Sequence, residues 1–425
     1  MKHRIYLKVL VALVLLCIAA VALFNWFVDP FNLYDSPRVE RLNSVKPFAL
    51  HYELQSKTYR LDRLRPQALV LGNSRPDFGI DPEHPAWAGL VAYNAAYGGG
   101  SLSGAIEHFR RASRQGRLQQ VVLAVDIDMM RRGKRALRAA GANVDDFFRT
   151  GNAASKSSPN WPGADYWATL LSFDSTIVSM KTLLCQGVPP KFELLKSGWV
   201  VVRSDFKEPA RHRFRVLEDR WAEVIYHPDE KGRASYAIAP QRLDAFREIL
   251  KLAYAQGVEM KIVINPSHAR KYILYRQAGL ENQIFAFKRI LLQVNQEEAE
   301  RAGRTPFPLW DFFNFNQFTN EVLGNGVTMR WWFEPSHYTP ELGRKVMDRV
   351  LNTESDTAFG AMLDMDNMEH RFRMDRRDAE LYERSHAADA EDIREVIRRA
   401  RVAAEMGGAG TQQETEPEKT ICDVN

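Results

Sequence analysis

Ala68-Leu69-Val70-Leu71-Gly72-Asn73-Ser74-Arg75 decides how this chain is read. Four apolar residues in an unbroken run predict a short strand buried on both faces, as in parallel sheets. The run stops at Gly72, and a tight turn then exposes a serine. Far along the chain stands Phe333-Glu334-Pro335-Ser336-His337-Tyr338, an acid and a histidine ahead of a C-terminal helix. A serine hydroxyl is a poor nucleophile until an imidazole takes its proton. The imidazole needs a carboxylate to fix its tautomer and stabilise its charge. Ser74, His337 and Glu334 are therefore the candidate catalytic residues, and their types suit acyl transfer or ester hydrolysis.

Working outward, Leu90–Asn94 predicts a second strand and Tyr97-Gly98-Gly99-Gly100-Ser101 a glycine-rich loop. Leu102–Gln115 predicts a helix with Ile106 and Phe109 on one face. A third strand, Gln120–Asp126, ends at Asp126-Ile127-Asp128. This rhythm predicts an α/β fold of three layers, with helices on both faces of a mainly parallel sheet. It breaks over residues 130–238, which read as an inserted cap containing a loop at 151–163. It resumes with a helix at 241–256 ended by Gly257, then a strand at 260–264 running into Asn265-Pro266-Ser267-His268. A helix at 283–301, a strand at 307–312 and a helix at 340–351 follow. Ligands of open parallel sheets bind beyond the carboxyl ends of the strands. Ser74, the glycine loop, Asp126, Asp128, His268 and Asp311 each follow a predicted strand, so all are expected on one rim.

The 425 residues carry a net charge of +5 with basic residues dispersed, and no basic block interleaves with aromatics. That argues against a nucleic-acid partner. Cysteine is scarce; Cys17, Cys185 and Cys422 make no disulfide framework, and Cys185 has no evident partner. No CxxC or HExxH spacing calls for a metal. The glycines at 98–100 lack the Gly-x-Gly-x-x-Gly spacing, since position 103 is Ser, and no P-loop lysine follows. No cofactor is expected.

Val9 to Val28 runs 20 residues without a charge, the length of a bilayer span. It exceeds the apolar stretch of a cleaved signal peptide. Lys2, Arg4 and Lys8 precede it, so the positive-inside rule puts residues 1–8 in the cytoplasm and the bulk of the chain outside. Residues 29–65 read as a connector and 66–354 as the α/β domain. Residues 355–405 read as an exposed, charged helical tail, and 406–425 as disordered.

The order of these blocks resembles the SGNH (GDSL-like) hydrolase superfamily, in its membrane-anchored form linked to bacterial cell-surface polysaccharide acetylation. The family's Gly-Asp-Ser turn corresponds to Gly72-Asn73-Ser74, and its Asp-x-x-His block to Glu334-Pro335-Ser336-His337. Asp29-Pro30 after a single span also resembles anchored members. The resemblance implies an oxyanion hole from the Ser74 N–H and a glycine among Gly98, Gly99 and Gly100, with the Asn73 amide. It implies an O-acyltransferase or esterase at the inner membrane of a bacterium, facing the periplasm. The substrate is then envelope polysaccharide, and an integral-membrane acyl-donor protein is the expected partner. Two departures stand out. Glu replaces Asp at 334, and the third block reads Val125-Asp126-Ile127-Asp128 where the family has Gly-x-Asn-Asp. A carboxylate there would repel a developing oxyanion, which opens the alternative of an inactive scaffold or glycan-binding protein. His268 is a rival base without an acid at the i–3 position, and is expected to contact substrate or to pack. Arg75 is expected to contact substrate or to pair with Asp77. Asp128 is the remaining candidate for substrate binding.

Overall fold

The computed structural model describes residues 2–114, 116–131, 164–203, 206, 208–226, 238–324, 326, 328–352, 359–406 and 422. The N-terminal apolar run is one continuous helix, α1 (Lys2–Val28). It is long and apolar enough to cross a membrane, and its apolar window is exposed. Its last turn meets the rest of the protein. There Asn25, the lone amide of the run, is buried and donates to the Leu170 carbonyl at 2.9 Å and to Thr176 Oγ1 at 3.0 Å. Beyond the helix the Asp29 carboxylate accepts from the Leu33 N–H at 2.7 Å and turns the chain back.

In chain order, α2 (Glu53–Leu64), β1 (Ala68–Leu71), α3 (Ser74–Gly79), β2 (Ala92–Asn94), α4 (Leu102–Ser113), β3 (Gln120–Val125) and the single-turn α5 (Ile127–Met130) come first. Then come α6 (Ala164–Leu171), α7 (Phe173–Leu184), the hairpin β4 (Phe192–Leu194) and β5 (Val200–Val202), and α8 (Ala210–Tyr226). The chain continues through α9 (Pro240–Gln256), β6 (Glu259–Ile264), α10 (Ala269–Gln277), α11 (Glu281–Ala302), β7 (Leu309–Asp311) and α12 (Pro340–Val350). It closes with β8 (Ala361–Leu363), α13 (Met368–Ser385) and α14 (Ala387–Glu405).

Six strands form one sheet in the order β2-β1-β3-β6-β7-β8, parallel throughout except for β8 at the edge. Leu69 stands opposite Tyr93 and Val121, and Ile264 opposite Val125 and Asp311. Alternate residues of the central strands enter two separate cores. Leu69, Leu71, Leu123 and Val125 join Phe109 and Phe246, whereas Val70, Val122 and Ala124 join Trp332 and Val346. Burial on both faces is why these strands read as unbroken apolar runs. The fold is thus α/β with a mainly parallel sheet, and all its parallel strands point their carboxyl ends at one rim.

Arg131 and Ile238 form an antiparallel bridge, and the Ala239 N–H donates to the Met130 carbonyl at 2.8 Å. The segment read as a cap therefore leaves and rejoins the domain at one place. Its described parts spread over the molecule. Helices α6 and α7 pack against the end of α1, and α8 packs against α14. The β4–β5 hairpin lies against α3, where Trp199 Nε1 donates to the Phe78 carbonyl at 2.8 Å. The predicted loop at 151–163 and the tail beyond 406, apart from Cys422, lie outside the described residues.

Two expectations are corrected. The charged tail is not simply exposed: Phe372, Ala379, Tyr382, Ile393 and Val396 are buried in the same core as Leu69 and Phe109. Arg270, only 1 % exposed, draws α14 in by pairing with Asp389 at 2.8 Å and Asp392 at 2.7 Å as well as with Glu218. Cys185 does have a partner, because it is disulfide-bonded to Cys422 across 237 residues of sequence.

Candidate active site

The turn after β1 is built by close backbone approach. A Cβ on Gly72 would lie 2.8 Å from the Ala124 carbonyl oxygen, and one on Gly100 would lie 2.9 Å from Asn73 Cα. Only glycine lets the glycine-rich loop and β3 press against the turn from either side. The loop is pinned from below. The Gly98 N–H donates to Glu53 at 2.9 Å, and Glu53 pairs with the wholly buried Lys57 at 2.9 Å. Lys57 also binds Asp77 of α3 at 2.5 Å.

A serine at this place has an ordinary structural use as a helix N-cap. That task falls to Asn73, whose Oδ1 accepts from the Arg75 N–H at 3.1 Å. Ser74 is the first helical residue, and its hydroxyl is turned elsewhere. His337 Nε2 lies 2.7 Å from Ser74 Oγ, within reach of direct proton transfer. On the far side of the ring, Nδ1 bonds to Glu334 Oε1. One tautomer satisfies both contacts: Nδ1–H donates to Glu334, and Nε2 accepts the serine proton. Glu334 is fixed in turn, since its Oε2 accepts from the Ser336 N–H at 2.8 Å and its Oε1 from Ser336 Oγ at 2.9 Å. The Phe333 N–H donates to the His337 carbonyl at 2.9 Å, closing the loop that holds acid and base together. The ring of Phe78 stands edge-on to His337 with centroids 5.6 Å apart.

Burial, with the positive charges of Arg75 and Lys271 behind it, holds the His337 imidazole well below its ordinary value. The ring is therefore neutral at neutral pH, as a general base requires. The main-chain N–H of Ser74, in the first turn of α3, donates to no acceptor among the described residues. It is available for an oxyanion.

The third block sits directly behind this turn. Asp126 Oδ2 accepts from Asn73 Nδ2 at 2.6 Å and pairs with Arg75 Nη1 at 2.7 Å, and its Oδ1 caps α5 through the Met129 N–H at 3.1 Å. The Asp126 carboxylate thus clamps both neighbours of Ser74 and is neutralised by one of them. Asp128 pairs with Arg75 and with Lys271, each at 2.8 Å, and accepts from the Tyr275 hydroxyl at 3.2 Å. Burial alone would raise the Asp128 carboxyl, but Lys271, Arg75 and Arg131 outweigh it and hold it well below the usual carboxylate range. Burial pulls Lys271 down to about 8, with the Arg75 charge adding and Asp128 opposing.

The structure thus brings Ser74, His337 and Glu334 together, with Asn73, Arg75, Asp126 and Asp128 behind them. Other expected residues lie differently. The Gly98 N–H is held by Glu53, and the Gly100 N–H donates to the Tyr97 carbonyl at 2.9 Å, so neither is open to an oxyanion here. Arg75 is 5 % exposed and spans the two aspartates, whereas Asp77 belongs to Lys57; a direct substrate contact by Arg75 is not available in this arrangement. His268 has no exposed surface. Its Nε2–H donates to the Glu321 carbonyl at 2.7 Å, its Nδ1 accepts from the Arg270 N–H at 3.2 Å, and burial pushes it down to about 3. It packs between Phe214 and Trp332 instead of meeting substrate. Asp311 pairs with Lys288 at 2.6 Å and not with Ser74 or His337. Among the described residues no group of three or more His, Cys, Asp or Glu side chains is placed to hold a metal ion.

Sequence reading gave no role to Ser336, Lys271 or Phe78. Ser336 was recoverable, since it lies between the acid and the base; Lys271 becomes a neighbour of Asp128 only through the packing of α10. No protein-family model, curated protein or solved structure matches this chain.

Proposed function

We propose that this protein is a membrane-anchored serine O-acyltransferase or esterase of the SGNH type, acting on cell-envelope polysaccharide. The observation that carries the reading is the relay from Ser74 Oγ to His337 Nε2 at 2.7 Å and from His337 Nδ1 to Glu334. In the first half-reaction Ser74 Oγ bonds to an acyl carbonyl carbon while Nε2 takes the hydroxyl proton. The carbonyl oxygen, now negative, meets the Ser74 N–H and the second amide hydrogen of Asn73. The imidazolium returns its proton to the leaving alcohol as the carbon–oxygen bond breaks, leaving an acyl-serine. In the second half-reaction His337 takes a proton from the acceptor, water in an esterase or a sugar hydroxyl in a transferase, as its oxygen bonds to the acyl carbon, and returns that proton to Ser74 Oγ as the acyl–serine bond breaks.

The anchoring helix supports a single-pass membrane protein, and two features favour the extracytoplasmic side for the bulk of the chain. Basic residues precede the span, and the Cys185–Cys422 disulfide belongs to an oxidising compartment. Separate cores on the two sides of the sheet support the three-layer arrangement of the SGNH fold. An inactive scaffold drew its support from the carboxylates at 126 and 128. Both are neutralised by cations, which removes that ground. Polysaccharide as substrate, a periplasmic location and an acyl-donor partner in the membrane rest on the resemblance in the Gly72-Asn73-Ser74 and Glu334-Pro335-Ser336-His337 blocks.

The test is aryl-acetate turnover by the full chain in detergent, with Ser74→Ala beside it. The expected loss is about 10³-fold or more, since residual rates come only from binding and oxyanion contacts. Equal turnover by both proteins would rule out Ser74 as nucleophile.

A further inference from the structure

Helices α6 and α7 carry their polarity the wrong way round for a surface that meets water. On α7 the buried stripe is polar: Ser175, Ser179 and Thr182, continued by Gln186 just beyond its end. The stripe turned outward is apolar: Phe173, Met180 and Leu184, with half-buried Ile177 between them. Each stripe recurs every three or four residues, the spacing of one helix face. Phe173 is 77 % exposed and Leu184 72 %, and on α6 Trp167, at 65 %, and Leu171 stand outward in the same way. A surface helix of a soluble domain buries its large apolar side chains and leaves its hydroxyls in water. A helix against lipid does the reverse, with small and hydroxylated residues at the contact between helices.

What the two helices pack against selects the occupant of that outward face. Both lie on the end of α1. Asn25 stands about 4.5 Å inside the end of the apolar run. It accepts from Ser179 Oγ at 2.9 Å, besides donating to the Leu170 carbonyl and to Thr176 Oγ1. The hairpin therefore reaches the depth of the last turn of the span. Hydrocarbon requires backbone polar groups to be satisfied from within, and at the α6–α7 corner they are. The Ser172 carbonyl accepts from the Thr176 N–H at 3.1 Å and from Thr176 Oγ1 at 3.0 Å, and Ser172 Oγ accepts from the Ser175 N–H at 3.3 Å. Between residues 166 and 188 only Asp174 and Lys181 carry charge, and they cancel, so the face offers little to a charged protein partner. We infer that α6 and α7 form a wedge in the leaflet from which α1 emerges, its outward face covered by lipid acyl chains. The twelve residues of α7 are too few to span a bilayer and suit its interface. Seated there, the wedge holds the domain against the membrane beside α1. The inference rests on the anchored reading and is independent of the serine chemistry.

Spin labels on the full chain in phosphatidylcholine liposomes test it. Phe173→Cys, Leu184→Cys and Leu381→Cys are each combined with Cys17→Ser and labelled without reduction, so that the Cys185–Cys422 disulfide stays closed. Leu381 is the comparison, exposed on α13, which packs against α10 and α14. Power saturation compares the access of oxygen, which concentrates in hydrocarbon, with that of a water-soluble nickel chelate. Labels at 173 and 184 are expected to favour oxygen several-fold more than the label at 381. Equal ratios at the three positions would overturn the wedge. Shielding of 173 and 184 from both reagents would overturn it as well, because it marks a second copy or a protein partner on that face. The wild type labelled at its free Cys17 reads the anchor separately. Oxygen-favoured access there with nickel-accessible labels at 173 and 184 would remove the wedge alone, whereas a nickel-accessible Cys17 would remove the anchored reading and the wedge with it.

Discussion

At the scale of residues, the state of one proton decides whether Ser74 can act. His337 must be neutral to accept it, and burial with the charges of Arg75 and Lys271 depresses the imidazole well below 6.5. The acid limb of kcat/KM for aryl-acetate hydrolysis should therefore lie below pH 6.5, with the rate level from there to neutrality. A limb centred above pH 6.5 would show a histidine stabilised in its charged form and would contradict this electrostatic account. Much of this chemistry was legible in the sequence. Serine after a buried strand, and an acid three residues ahead of a histidine, are local patterns with few other uses in combination. His268 was not legible in the same way. It follows a strand and sits in a motif like that of His337, but whether an imidazole opens to solvent depends on its neighbours, here Phe214 and Trp332. Those contacts join residues far apart in the chain, and no local pattern encodes them.

At the scale of elements, the turn carrying Ser74 is held by what lies behind it. Gly100 lets the glycine loop reach Asn73, and Asp126 at the end of β3 grips Asn73 and Arg75 together. Removing one member of a buried pair strands the other charge and costs about 3–5 kcal/mol. Asp126→Ala should therefore lower the unfolding free energy by about that amount in a urea titration. It should also reduce kcat by about 10²-fold, because Ser74 loses its fixed neighbours. Asp126→Asn keeps an acceptor for Asn73 and should recover part of kcat; a wild-type rate in the alanine variant would show that the clamp does not position Ser74. The central strands were legible because burial on both faces leaves unbroken apolar runs. The edge strand β8, with Met362 exposed between buried Ala361 and Leu363, is too short to announce itself. The apolar stripe on α13 and α14 was hidden by surrounding charges, five of which pair with α8 or α10: Glu380, Glu383, Asp389, Asp392 and Arg399.

At the scale of the whole molecule, the last turn of α1 and Cys422 meet the same region. Helices α6 and α7 brace the end of the apolar helix, and Cys185, just after α7, holds Cys422 near the C-terminus. Cys17 is the free thiol. Alkylation of the denatured full chain with a maleimide–polyethylene glycol should shift one thiol before reduction and all three cysteines after it. Three reactive thiols in the unreduced protein would mean that the fold matures in a reducing compartment, against the proposed topology. A bond across 237 residues leaves no trace in local sequence, whereas the N-terminal helix, a continuous apolar stretch long enough to cross a membrane, is its plainest feature.

The central claim is that His337 activates Ser74, and covalent labelling reads it most directly. A fluorophosphonate forms a phosphorus–oxygen bond only with a serine whose proton is taken as fluoride leaves. Intact-mass and peptide analysis of the full chain should find one adduct, on the peptide containing Ser74, that disappears in both Ser74→Ala and His337→Ala. An unlabelled wild type, or equal labelling of the His337→Ala protein, would contradict the account.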